Sequence, residues 1–255
     1  MARAGFISRA VPILGPDGEI VEWFGAGSDV TQRREAEEAL RRSEEQQAFL
    51  LKLSDALRPL ADPVAIQAAA TRLLRERFDA GWCYYTEYNE TGTVATVLAD
   101  SARDGLPSLV GRHDVSDIPD YIAFLRANRV FNTPDIARDP LITPPIAERY
   151  TGIGVRAMLG VALVKEDGRL PSLFMADTTP HSWPQEAVDL IGEVAERTWA
   201  AMEQARAEAL RRHAEELNAF LVRFSDAVRG LADPQAVPET ACRLVAETIG
   251  VERAY

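Results

Sequence analysis

The chain has 255 residues, 47% of them hydrophobic and 26% charged, an ordinary balance for a globular protein, with a formal net charge of −11. No apolar run approaches the roughly 18–20 residues that cross a bilayer, no signal-peptide pattern opens the sequence, and the acidic balance argues against a nucleic-acid partner. Cys83 and Cys242 lie far apart, with no CxxC pair and no clustered histidines, which argues against a disulfide framework and structural zinc and fits a reducing, cytoplasmic setting.

In chain order, "VPILGPDGEIVEWFGAGSDV" reads as two strands around a Pro-Asp-Gly turn, and a charged helix begins at Thr31. Within Thr31–Leu57, Ala36, Leu40, Ser43, Gln47, Leu50, Ser54 and Leu57 fall at alternating four and three spacing, a heptad seam diluted by Ser and Gln. Asp62-Pro63 supplies an N-cap and a proline at the first helical position. The helix that follows carries Ile66, Ala69, Ala70, Leu73 and Leu74 on one stripe.

The character then changes. "GWCYYTEYNETGTVATVLADSA" holds two β-rich runs around a hairpin loop, with Trp82, Tyr84, Thr86 and Tyr88 on one face and Cys83, Tyr85 and Glu87 on the other. "SDIPDYIAFLRANR" predicts a short helix capped by Ser116 or Asp117, and "VFNTPDIARDPLITPPIAERYTGIG" a short strand, loops and a helix at 145–150. "VRAMLGVALVKEDGRLPSLFMADTT" predicts strand, turn, strand, with Arg156, Met158, Gly160 and Ala162 sharing a face. A long helix capped near Ser182 closes the segment. Its seam, Val188, Ile191, Ala195, Thr198, Met202, Ala205 and Ala209, gives way one place later to Leu210, Leu217, Phe220, Phe224, Ala227 and Leu231. Two readings stay open for these charged helices. They are solvated spacers packed on their own domain, or a parallel dimer joined through Leu40, Leu50, Met202, Leu217 and Phe220.

Shifting the chain by 171 positions aligns residues 48–84 with 219–255 without a gap, and 17 of the 37 pairs are identical, including Ser54/Ser225, Asp55/Asp226 and a Leu-Ala-Asp-Pro run. That period suits a tandem domain with its linker. The second copy ends where its first strand should begin, so the chain is expected to be a fragment. Helices, strands, helix, strands, helix together predict an α+β fold: an antiparallel β-sheet with the terminal helices on one face, flanked by long helical linkers.

At this point the segment 49–208 resembles a GAF domain. Its closing run, "VRAMLGVALVKEDGRLPSLFMADTTPHSWPQEAVDLIGEVAERTW", is similar to the family's strand, "DGR" turn, strand and Trp-Pro-led helix. The N-terminal strands, with Asp29, Val30 and Thr31 at the junction into the helix, resemble the end of a PAS domain. The resemblance implies residues 1–30 as a PAS tail, 31–48 as a signalling linker, 49–208 as the GAF domain, 209–218 as a second linker and 219–255 as the start of another GAF domain. It also implies a small-molecule pocket between the sheet and the helix at 121–124, for which Tyr84, Tyr121, Phe124, Arg156, Met158 and Phe174 are the candidates. Each of these aromatics also reads as plain core.

No catalytic or metal centre emerges. His213 sits in a poor phosphoacceptor context, His181 reads as loop structure, and His113 as a solvated loop residue rather than a haem ligand. Some GAF domains hold a bilin through a cysteine near a mid-domain helix; "ITPPIAERYTGIG" has none, and Cys83 reads as a small packed residue. The cyclic-nucleotide constellation of other GAF domains, P-loops and nucleophile elbows are missing too. No cofactor is predicted, though an unknown small ligand fits the fold. The resemblance implies the sensory and dimerising region of a bacterial sensor histidine kinase, relaying a signal to an output domain. A diguanylate cyclase, phosphodiesterase or phosphatase output is the alternative. A free methionine sulfoxide reductase is the alternative of another class, weakened by the single cysteine of the complete domain.

Overall fold

The computed structural model describes residues 6–140, 142–229 and 236–249. The chain divides into two compact units, residues 1–55 and 56–255. In the first, β1 (Phe6–Leu14) and β2 (Ile20–Asp29) pair antiparallel around a turn where Gly18 takes φ +83°. The turn needs that glycine, since a Cβ disfavours the left-handed region. At the Asp29-Val30-Thr31 junction the Asp29 carboxylate accepts the Thr31 N–H at 2.9 Å, and α1 (Thr31–Leu57) starts there. Hydrogen bonding from the Thr31 side chain, then from its N–H, holds the Asp29 carboxyl below its usual range.

The second unit opens with α2 (Pro63–Phe78), where Asp62 caps the N–H groups of Val64 and Ala65, both at 3.2 Å, with proline in the first turn. Its strands are β3 (Trp82–Tyr88), β4 (Val94–Ala102), β5 (Gly111–Asp114), β6 (Val130–Thr133), β7 (Ala157–Ala162) and β8 (Leu170–Asp177). They form one six-stranded sheet in the order β5-β4-β3-β8-β7-β6, antiparallel at every pairing. Between them lie α3 (Pro119–Asn128) and α4 (Pro144–Gly152), and α5 (Gln185–Arg229) and α6 (Ala236–Ile249) follow. This is the α+β architecture that the order of periodicities predicts. α2 and α5 pack on each other, α2 also on β3 and β4, and α5 on β7 and β8. The face carrying Tyr84, Met158 and Phe174 shares its core with α3 and α4 instead.

Local details depart from expectation. The cap of α3 is Ile118, with Pro119 starting the helix and no side-chain cap bond; Ser116 is turned away because its N–H and hydroxyl both bond Asp114, at 2.9 and 2.6 Å. The long helix starts at Gln185, and Pro184 rather than Ser182 accepts the first-turn N–H of Ala187. His113 lies on an edge strand, β5, opposite Ala95, not in a loop. The second copy of Leu-Ala-Asp-Pro and the closing "GVERAY" lie outside the described residues.

The expected dimer seam is corrected at Met202. That side chain is 0% exposed, and its sulfur accepts from Gln67 Nε2 at 3.2 Å inside the same unit. Ile191, Ala195, Thr198 and Ala205 are buried with it, because the apolar stripe of α5 covers its own sheet and α2. Leu50 is also buried, at 8%. Leu40 and Leu217 remain exposed, at 61% and 51%, and Phe220 is half-buried, with its ring tilted 39° to that of Phe224.

Candidate functional site

β3 and β8 are paired at the centre of the sheet, with Tyr84 opposite Phe174. The two rings stack with centroids 5.3 Å apart and an interplanar angle of 18°. That stack exists because position 160 on β7, paired with Phe174, is glycine: a Cβ there would run into the Phe174 ring, whose Cγ lies 3.3 Å from it. Across from the strands, α3 lowers Tyr121 edge-on to Phe131 of β6, at 5.3 Å and 87°, and Phe124 meets the same ring at 6.3 Å and 88°. Tyr84, Tyr121, Met158 and Phe174 thus lie in one cluster, with Phe124 packed against it. Arg156 is held apart. Its guanidinium makes paired bonds to Asp135 at 3.0 Å, on the loop after β6.

A cavity of about 190 Å³ opens beside this cluster, lined by Ile118, Tyr121, Phe124, Phe131, Thr143 and Ile146, with Asp117 and Asp120 also on its wall. The interior is unusual in its hydroxyls. Tyr84, Tyr88, Tyr121 and Tyr150 are near enough to influence one another's ionisation, and burial, first, then these neighbours push Tyr84, Tyr88 and Tyr121 well above the usual phenol range. The Tyr84 and Tyr121 hydroxyls are buried with no hydrogen-bond partner; Tyr150 approaches Tyr84 without meeting hydrogen-bond geometry. Thr86 and Thr133 Oγ1 are buried without partners as well. A native core rarely leaves such groups unpaired.

The opposite face of the sheet is joined to α5 by charge. The β7–β8 turn presents Lys165 and Arg169 to the helix. Arg169 makes two bonds to Glu203, at 3.1 and 3.0 Å, and Lys165 one to Glu196 at 3.0 Å. Arg206 bridges Glu203 at 2.8 Å and Glu87 of β3 at 2.9 Å. Trp199, 9% exposed, sits among these cations, with Arg169 at 4.5 Å, Lys165 at 5.2 Å and Arg206 at 6.0 Å from its ring centre. The expectations from sequence did not include this latch; the charged "KEDGR" turn and a lone Trp in the following helix were its only signals.

Glu203 carries the pH dependence of that latch. The bonds from Arg169, and secondarily from Arg206, hold its carboxyl below the usual value of 4.5. A folded pKa below the unfolded one gives stability that is present above about pH 4.5 and is lost as pH falls through the folded value. Wild type should therefore melt above Glu203→Gln at neutral pH, and the two curves should converge in acid. A gap that stays constant down to the pH where the fold itself fails would contradict the latch.

Cys83 is fully buried on β3, and burial pushes its thiol far up, so it is not a reactive nucleophile. Among the described residues no three His, Cys, Asp or Glu side chains gather as a metal site. No helix among them is long and apolar enough to cross a membrane.

With this geometry in view, the GAF domain family model matches residues 62–202, more than half of the chain. Among solved structures, the bacteriophytochrome RpBphP3 from R. palustris is similar over 81% of this chain and 47% of its own length, at 18% identity and a TM-score of 0.67. The phycocyanobilin-bound GAF domain of a cyanobacterial phytochrome matches 64% of this chain and 96% of its own, at 17% identity and a TM-score of 0.55. The blue-light absorbing form of the Thermosynechococcus elongatus PixJ GAF domain matches 62% and 94%, at 21% identity and a TM-score of 0.52. At these identities the likeness is one of fold. No curated protein matches the chain.

Proposed function

The chain belongs to the GAF domain family, and from that premise we propose that it is the sensory and dimerising region of a cytoplasmic bacterial signalling protein, with a histidine kinase as the output. The observation that carries this reading is α5. One 45-residue helix packs on the sheet and on α2 through a face that includes Trp199 and Met202, and then continues with Leu210, Leu217 and Leu221 exposed. A change at the pocket face moves β3 and β8, and the Arg169–Glu203 and Arg206–Glu87 pairs pass that movement to the helix. A ligand shifts such an equilibrium only by its differential affinity for the two packings.

Residues 1–30 are read as a PAS tail, in keeping with a hairpin that leaves Trp23 and Phe24 exposed at 59% and 69%. Residues 31–48 and 209–218 are the linkers, and 219–255 begin a second GAF domain. In support of that second copy, α6 (Ala236–Ile249) falls within the positions of α2 (Pro63–Phe78) shifted by 171. A cyclase, phosphodiesterase or phosphatase output would use the same device.

The bilins named for the structural neighbours do not suit these residues. A bilin has four rings, whereas the cavity is about 190 Å³, and an engineered cavity of about 150 Å³ holds a single benzene. Cys83 alternates onto the face opposite Tyr84, away from the cavity.

Dimerisation through the exposed half of α5 is tested by sedimentation. The chain is expected to run as a dimer at tens of micromolar, and Leu217→Glu to shift it toward monomer while lowering its melting temperature only by the share that association contributes. A wild-type monomer at that concentration contradicts the dimer.

A further inference from the structure

We infer that the β1–β2 hairpin is an interaction surface for a second copy of itself, through the face that carries Arg9, Val11, Ile13, Glu22 and Phe24; this rests on the dimer proposed through α5 and adds a second contact to it. A lone two-stranded hairpin is marginal in water, and this one lays apolar side chains open on both faces. Val11 and Phe24, opposite each other in the register, are 63% and 69% exposed, and Ile13 is 46% exposed. On the other face Trp23, opposite Pro12, is 59% exposed. Exposed apolar side chains grouped in this way mark a docking surface.

Charge selects the face and the occupant. The Val11–Phe24 pair is flanked by Arg9–Ala26 two positions to one side and by Ile13–Glu22 two positions to the other. Arg9 and Glu22 therefore stand at opposite corners of one face, about 13 Å apart along the strands, too far for an ion pair within one copy. A second hairpin laid face to face, turned about a twofold axis that crosses both strands at Val11–Phe24, brings each Arg9 beside the other copy's Glu22. The Arg9 stem then covers the other copy's Ile13, and Phe24 meets Phe24. Both ion pairs close at once because such a contact uses the same patch twice. A partner of one charge sign would satisfy one corner and repel the other. The Trp23 face offers no such match, since Ala10, Pro12, Leu14, Ile20 and Gly25 around it are uncharged.

Size sets the role. One face of a hairpin with a nine-residue strand covers roughly 300 Å², against about 800 Å² per partner in a standard interface. It is too small to hold a dimer alone and works as an addition to one held elsewhere.

Sedimentation of the full chain tests this with Arg9→Glu, Glu22→Arg and the two together. At low salt each single reversal should weaken dimerisation about fivefold, the effect of losing two exposed ion pairs, and the double reversal should restore the wild-type value. Restoration also shows that the variant hairpin folds. High salt should erase the difference between the single reversals and wild type. Single reversals that match wild type at low salt, or a double reversal no better than either, would overturn the inference. So would Trp23→Ser weakening the dimer as much as Arg9→Glu, since that puts the other face in the contact. Leu217→Glu separates the two readings. A dimer that ignores Leu217→Glu but follows the charge reversals sinks the α5 contact and keeps the hairpin; a dimer lost in Leu217→Glu and blind to the reversals does the opposite.

Discussion

Met202→Glu is expected to unfold the GAF domain rather than to split a dimer. Met202 is 0% exposed, bonded through sulfur to Gln67, and surrounded by the buried face of α5 that includes Val194, Ala195, Thr198 and Ala205. A carboxylate placed there has no cation to pair with among those residues and must either stay ionised without water or take up a proton far above its usual pKa. Buried unpaired charge belongs to the few mechanisms that exceed about 4 kcal/mol, a large share of the roughly 5–15 kcal/mol that holds a domain folded. Leu217→Glu, on the exposed half of the same helix, supplies the contrast. Denaturant melts should show a large loss for the first and, for the second, only the small loss that weaker association brings. If Met202→Glu stays folded and only loses a partner copy, Met202 belongs to a seam after all.

The second large effect is Gly160→Ala. The added methyl would enter the ring of Phe174, itself 1% exposed and stacked on Tyr84, so neither ring has room to retreat. Overpacking of this kind costs about 1–3 kcal/mol and sometimes more. The cause is shown by rescue: Phe174→Leu should recover part of the loss in the Gly160→Ala background, although by itself it leaves a void. A double-mutant cycle with no coupling between the two positions would refute the packing account.

The sequence discloses the sheet and its helices through periodicity, and it discloses them unevenly. Tyr84, Tyr121, Met158 and Phe174 were legible together because strand alternation and helical spacing each place a residue on a face. Arg156 shares that alternation, yet Asp135, 21 positions earlier, takes its guanidinium. No local pattern carries such a long-range pairing. β5 was missed because "GRHD" has neither branched nor aromatic residues; its pairing with β4 makes the strand. Met202 was misassigned because a coiled-coil seam and a core-facing helix both repeat at three and four. The wider stripe was visible, however: Ala187, Leu190, Val194 and Trp199 broaden it beyond a seam, and it stops after Ala205. Trp199 and its cations come from β7–β8 and α5 and meet only in the fold.

Energetic coupling between the pocket face and α5 is the central claim, and because coupling is reciprocal it can be read without any ligand. Hydrogen exchange of Arg169→Ala against wild type measures it directly. The account predicts lowered protection in Pro119–Asn128 and Pro144–Gly152, across the sheet from the substitution, as well as in the β7–β8 turn and α5. Changes confined to the turn and α5, with α3 and α4 untouched, would contradict it.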